Sequence, residues 1–242
     1  MSEATRMWTE ISFNIGYLLA VWALVAMMTK QESSLPESDA HLARPFRWAF
    51  VALALGDTSH VGLRVLVFAL GDMGTTIRSF DRDIGLVGLG ALLTAITVTI
   101  FYLLMLFVWK RRFKASFGWF QVGLIIIALA RFALMIPAQN QWGSAIPPQP
   151  WSLFRNVPLT LLGLGVAYLV LRDARALGDR SFTGIGLMML VSYAFYIPVI
   201  LFVQQAPLVG MLMIPKTLAY LVMAWIGIQT LFRRPAQSRP EA

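Results

Sequence analysis

Asp57, His60 and Arg64 stand at i, i+3 and i+7 inside an apolar run, a spacing that puts all three on one helix face. An acid one turn from an imidazole is the arrangement in which a carboxylate orients a histidine for general-base work. Arg131 and Lys216 lie inside two further apolar runs. An ionisable side chain near the middle of a bilayer costs at least about 2.5–3.5 kcal/mol on insertion scales, so it normally faces protein or water and signals function. At 1.5 Å per residue, Asp57 lies about 15 Å, His60 about 20 Å and Arg64 about 25 Å beyond Arg47. Arg131 is about 18 Å beyond Trp119 and Lys216 about 25 Å from Arg233 on the same count. All five positions are thereby expected at similar depth, in one half of a membrane.

Arg155 and Asn156 join this set from the start of a short apolar run. Asn156 followed by Pro158 reads as an N-cap with proline in the first turn, and a helix N-terminus beside an arginine attracts anions. The preceding polar segment carries Gln139, Asn140, Gln141 and Trp142 and can cover a cavity mouth. Asp57 can neutralise only one of Arg64, Arg131, Arg155 and Lys216. The positive excess points to an anionic ligand: a phospholipid headgroup, a lipid phosphate or a carboxylate. Ser59, Thr97, Tyr193 and Tyr196 are further polar candidates. Plainer readings stand beside these. Asp57 and Arg64 can be a packing ion pair, Arg64 and Arg131 can snorkel to the interface, and Pro215 can kink its run and expose carbonyls to Lys216. His60 can be a satisfied core residue, Asn156 only a cap, and His41 an exposed residue without a role.

The elements that must position these residues follow from composition. Of 242 residues, 58% are hydrophobic and 13% charged, against about half and about a quarter in a soluble domain. That excludes a soluble enzyme and intrinsic disorder. The chain has no cysteine and two histidines, so Cys-ligated zinc, iron–sulfur clusters and a three-histidine metal site are excluded, and no cofactor is implied. Seven apolar runs, at 11–28, 46–70, 84–108, 118–137, 157–171, 182–203 and 208–232, are long enough or nearly long enough to cross a bilayer. The fifth extends back to about Ser152 if it ends at Arg172. Continuous rather than alternating apolarity disfavours a barrel. The expectation is an all-α, polytopic protein: one seven-helix domain over 1–234 and a disordered cytoplasmic tail over 235–242. The first run, led by Glu3, Arg6 and Glu10, reads as a retained span rather than a cleaved signal.

Basic residues favour one side. Lys30, Arg44 and Arg47, then Lys110, Arg111, Arg112 and Lys114, then Arg172, Arg175 and Arg180, and finally Arg233, Arg234 and Arg239 share it, against Arg6, Arg78, Arg82 and Arg155 on the other. This predicts the N-terminus outside and the C-terminus in the cytoplasm of a cell membrane, and explains the net charge of +8 without nucleic acid. Trp8, Trp48, Trp109, Trp119, Trp142 and Trp151 lie at run ends, as in an interfacial aromatic belt. The glycines at 85, 88, 163, 165, 184 and 186 suit close helix packing. Ala-Leu-Gly-Asp, ending at Asp57, Asp72 and Asp179, recurs at unequal intervals and reads as chance.

Gly56-Asp57-Thr58-Ser59-His60 with Arg64, Pro137-Ala138-Gln139-Asn140-Gln141-Trp142 and Arg155-Asn156-Val157-Pro158 together resemble a pattern of uncharacterised bacterial multi-span membrane proteins. The shared signatures are Gly-Asp-x-x-His, Pro-x-x-Asn-x-Trp and Arg-Asn-x-Pro, over residues 56–158. Ser59 and Leu63 depart from the pattern. The resemblance implies that Asp57, His60, Asn140 and Arg155 act as a set, and implies no activity.

Three function classes compete. An intramembrane enzyme or binding protein for an anionic lipid-like ligand uses Asp57 and His60 for catalysis and Arg64, Arg131, Asn140, Arg155, Asn156 and Lys216 for binding. A transporter needs polar residues in the inner half as well, and there the runs are nearly all apolar. A receptor or retinal-type sensor is suggested by seven spans and a lysine in the last, but Leu212 precedes Lys216 by one turn and the third run has no carboxylate counter-ion. A zinc-dependent lipid hydrolase fails on ligand count.

Overall fold

The computed structural model describes residues 3–69, 76–79, 82–142, 144 and 148–233. They form seven helices: α1 Glu3–Glu32, α2 Glu37–Ala69, α3 Leu86–Arg112, α4 Trp119–Met135, α5 Trp151–Ala176, α6 Arg180–Phe202 and α7 Met213–Gly227. A 3-10 turn, Pro207–Leu212, leads into α7, and a π turn, Ile228–Phe232, ends it. Six segments are long and apolar enough to cross a bilayer, and α4, with 17 residues, is shorter. Large apolar side chains face outward on every helix, among them Leu19, Leu66, Ile100, Ile126, Leu161, Leu201 and Trp225. Water would expel such a surface and lipid solvates it. The chain is a multi-span integral membrane protein.

One element departs from the all-helical expectation. Between α2 and α3 a small antiparallel hairpin pairs β1 Thr76–Ser79 with β2 Arg82–Gly85, Ser79 opposite Arg82. Four-residue strands are too short to show a period of their own. Asp72 and the tail over 235–242 lie outside the described residues.

Three connections meet at one end of the bundle. Glu32 at the end of α1 pairs with Arg44 at 3.2 Å and Arg47 at 2.5 Å. Arg111 at the end of α3 donates to the His41 carbonyl at 2.6 Å, and Arg112 pairs with Asp179 at 2.8 Å. Pro45 explains the Arg111 contact: it lies inside α2 and has no N–H for the His41 carbonyl four residues back. The His41 side chain is exposed, as expected, but its backbone is a tie point. Gly178, at φ +66°, ends α5, and Asp179 caps α6 by accepting from the Phe182 amide at 3.0 Å. The last Ala-Leu-Gly-Asp is thus a helix–helix turn.

Beside this basic end the core is aromatic. Phe50 meets Phe101 edge-on at 5.5 Å, and Phe101 meets Tyr220 at 5.4 Å. Trp109, expected in the interfacial belt, is fully buried and donates to Asp173 at 2.8 Å. Burying the ring requires a partner for the indole N–H, and Asp173 supplies it. Trp119 and Trp48 do face outward. α1 and α7 meet and close the bundle.

Two proline expectations change. α5 starts at Trp151, close to the end that span length requires, so Asn156 and Pro158 lie inside it. Asn156 is not its N-cap; its side-chain amide donates to the Ser152 carbonyl of its own helix at 2.9 Å. Pro215 falls in the first turn of α7, where the missing N–H has no intrahelical carbonyl to reach, so it starts the helix rather than kinking it.

Candidate functional site

The polar residues gather away from the basic end, and every helix contributes. In α2, Asp57 accepts a hydrogen bond from Tyr17 Oη of α1 at 2.5 Å. Tyr17 carried no sequence signal, because its partner lies 40 residues away. The contact between α2 and α3 is close here: a Cβ on Gly56 would overlap Thr97, and one on Gly90 would press on the His60 Cα. Thr94 Oγ1 donates to the Gly56 carbonyl at 2.7 Å. Ser59 turns back to its own Leu55 carbonyl. His60 lies one turn beyond Asp57 with its Nδ1 buried. The Arg64 side chain lies outside the described residues.

Arg131 of α4 is 1% exposed and does not snorkel. Its Nε donates to the Arg155 carbonyl of α5 at 2.8 Å, and its Nη1 donates to the Ala95 carbonyl and Thr99 Oγ1 of α3. The planar guanidinium therefore ties three helices together, which a rigid fork of donors does well. Thr99, a hydroxyl in an apolar run, is a second residue that sequence reasoning missed.

The segment after α4 explains the Pro-x-x-Asn-x-Trp motif. The last four carbonyls of a helix have no intrahelical partners. Asn140 Nδ2 donates to the Leu134 carbonyl at 2.7 Å and Trp142 Nε1 to that of Met135 at 3.0 Å. Both side chains thereby staple the chain across the end of α4. Stapled so, they receive Arg155, whose Nη1 lies 3.4 Å from Asn140 Oδ1 and whose Cζ lies 4.3 Å from the Trp142 ring centre. Asn156 Oδ1 accepts from Tyr196 of α6 at 3.2 Å. Tyr193 donates to the Leu159 carbonyl at 2.9 Å, and Gly163 leaves room for its ring.

Lys216 completes the set. Its Nζ lies 4.2 Å from the Tyr196 ring centre and 5.9 Å from that of Tyr220. It interacts electrostatically with Asp57 and with Arg131, and Arg131 in turn with Arg155. No ion pair within 4.0 Å joins Lys216 to Asp57 among the described residues. Electrostatic interactions thus run pairwise from Asp57 to Lys216, from Lys216 to Arg131 and from Arg131 to Arg155, while Asn140 bonds Arg155 and Asn156 bonds Tyr196. Among the described residues no group of three or more His, Asp or Glu can hold a metal ion.

No protein family model, no curated protein and no solved structure matches the chain.

Proposed function

We propose that the chain is a seven-span protein of the cell membrane, N-terminus outside, that holds an anionic lipid-like ligand in the outer half of the bilayer. Lys216 carries this reading. Its ammonium rests on tyrosine faces with no carboxylate within 4.0 Å among the described residues, and an anionic headgroup would complete its charge. Arg155 is the second ligand cation, framed by Asn140 and Trp142. Arg131 adds positive field while its donors brace the helices. Asp57, oriented by Tyr17, and His60 are the pair to which acid–base chemistry on the ligand would fall. The signatures around Asn140 and Arg155, if shared with other bacterial multi-span proteins, would mark the same frame there.

Binding is favoured over transport by the packing of the basic half. Phe46, Phe50, Phe101, Trp109, Phe182 and Phe232 are all buried there, an aromatic filling that disfavours a polar path for ions.

The test uses thermal unfolding in neutral detergent with dodecyl phosphate as the probe. The wild type is expected to be stabilised, and Lys216→Met to weaken the apparent affinity about tenfold, a difference of about 1.4 kcal/mol. Equal stabilisation of both proteins sinks the reading.

Orientation has its own test, made clean by the absence of native cysteine. A maleimide that cannot cross membranes is expected to label Gln149→Cys in intact cells and Ser116→Cys only after lysis; both positions are exposed. The reverse pattern overturns the proposed threading.

A further inference from the structure

A cleft of about 560 Å³ opens at the basic end, between the last turn of α1 and the π turn after α7. It lies far along the helices from Lys216 and shares no residue with that site. Met27, Leu35 and Phe232 give it an apolar wall, and Lys30 and Arg233 bring a cation from each side. Both cations are exposed. Glu32, the nearest acid in the sequence, is engaged by Arg44 and Arg47 and does not neutralise them. The cleft is also lined by Gln31, whose Oε1 is buried and has no hydrogen-bond partner among the described residues.

Each feature selects for one part of a ligand. Two cations at a membrane-proximal helix end attract a phosphodiester. An apolar wall beside them suits the start of an acyl chain. An acceptor without a donor calls for an O–H or N–H on the headgroup, because leaving it unmade costs more than an ordinary hydrogen bond gains, and beside Lys30 and Arg233 a neutral hydroxyl suits better than an ammonium. We propose that this cleft is a site for an anionic phospholipid with a hydroxylated headgroup, of the phosphatidylglycerol type, in the leaflet at the basic end. The proposal depends on membrane embedding and not on the ligand site near Lys216.

Native mass spectrometry of the full chain in neutral detergent tests it, with phosphatidylglycerol, phosphatidic acid and phosphatidylcholine titrated in parallel. Phosphatidylglycerol is expected to bind at least about tenfold tighter than phosphatidylcholine, in line with two basic contacts near a membrane surface. Lys30→Gln combined with Arg233→Gln should abolish that preference. Gln31→Leu should weaken phosphatidylglycerol and leave phosphatidic acid, whose headgroup has no glycerol hydroxyl, unchanged. The idea fails if wild type binds the two phospholipid classes equally, or if the double variant keeps the preference. Competition by soluble glycerol 3-phosphate as strong as that by the lipid would also overturn it, because the acyl chain would then contribute nothing. The single variants Lys30→Gln and Arg233→Gln, each at an exposed position, keep the test open if the double variant expresses poorly.

Discussion

Arg131→Lys is expected to lower unfolding stability by about 2–3 kcal/mol, the range of a lost charge-assisted hydrogen bond or two. Lysine keeps the buried charge and its desolvation cost. Its single ammonium, however, cannot reach the Arg155 carbonyl on α5 and the Ala95 carbonyl with Thr99 on α3 together. Arg131→Met removes the charge as well, so relief of desolvation offsets part of the lost bonding. The expected order is wild type, then Met, then Lys, measured by denaturant or thermal unfolding in neutral detergent. A lysine variant as stable as the wild type would show that the three-helix tie contributes nothing.

The second large effect is expected at Gly88→Val. A Cβ there would overlap the backbone carbonyl of Trp142, and backbone cannot step aside as a flexible side-chain tip does. Overpacking of this kind costs about 1–3 kcal/mol, and a rigid obstacle places it toward the upper end. The segment over 137–142 has to lift, withdrawing the Trp142 ring and Asn140 from Arg155. Hydrogen exchange of that segment should quicken, and dodecyl phosphate should bind more weakly. Gly88→Ala should show the same changes in smaller measure. Unchanged exchange in Gly88→Val would show that the α3 contact does not hold the segment in place.

Helix positions were largely legible in the chain because a bilayer imposes a simple length rule on apolar runs. The start of α5 illustrates both the strength and the limit of that rule. Counting back from Arg172 reaches Ser152, one residue from the observed start, whereas local capping logic placed the start at Asn156. Pro158 is tolerated inside the helix, and its neighbour Arg155 offers its carbonyl to Arg131. Trp109 is the opposite case. Its place at a run end suggested the interface, and only the approach of α5 with Asp173 makes burial affordable. For the site, i, i+3, i+7 spacing was enough to group Asp57 and His60 on α2. It could not supply Tyr17 or Thr99, which reach the charges from other helices.

Sequence alone determined the solvent. So many apolar residues and so few charges can persist only in lipid, and the continuous apolar runs mark where the chain crosses it. Sequence also determined which residues are costly to bury, since that cost depends on residue type and depth. Tertiary structure decided what each charge meets. Arg131 found three oxygens, Arg155 an amide and an indole, and Lys216 two phenol rings. The reason is geometric: hydrogen bonds and ring contacts act over a few ångströms, and only the packing of helices distant in sequence brings these groups that close.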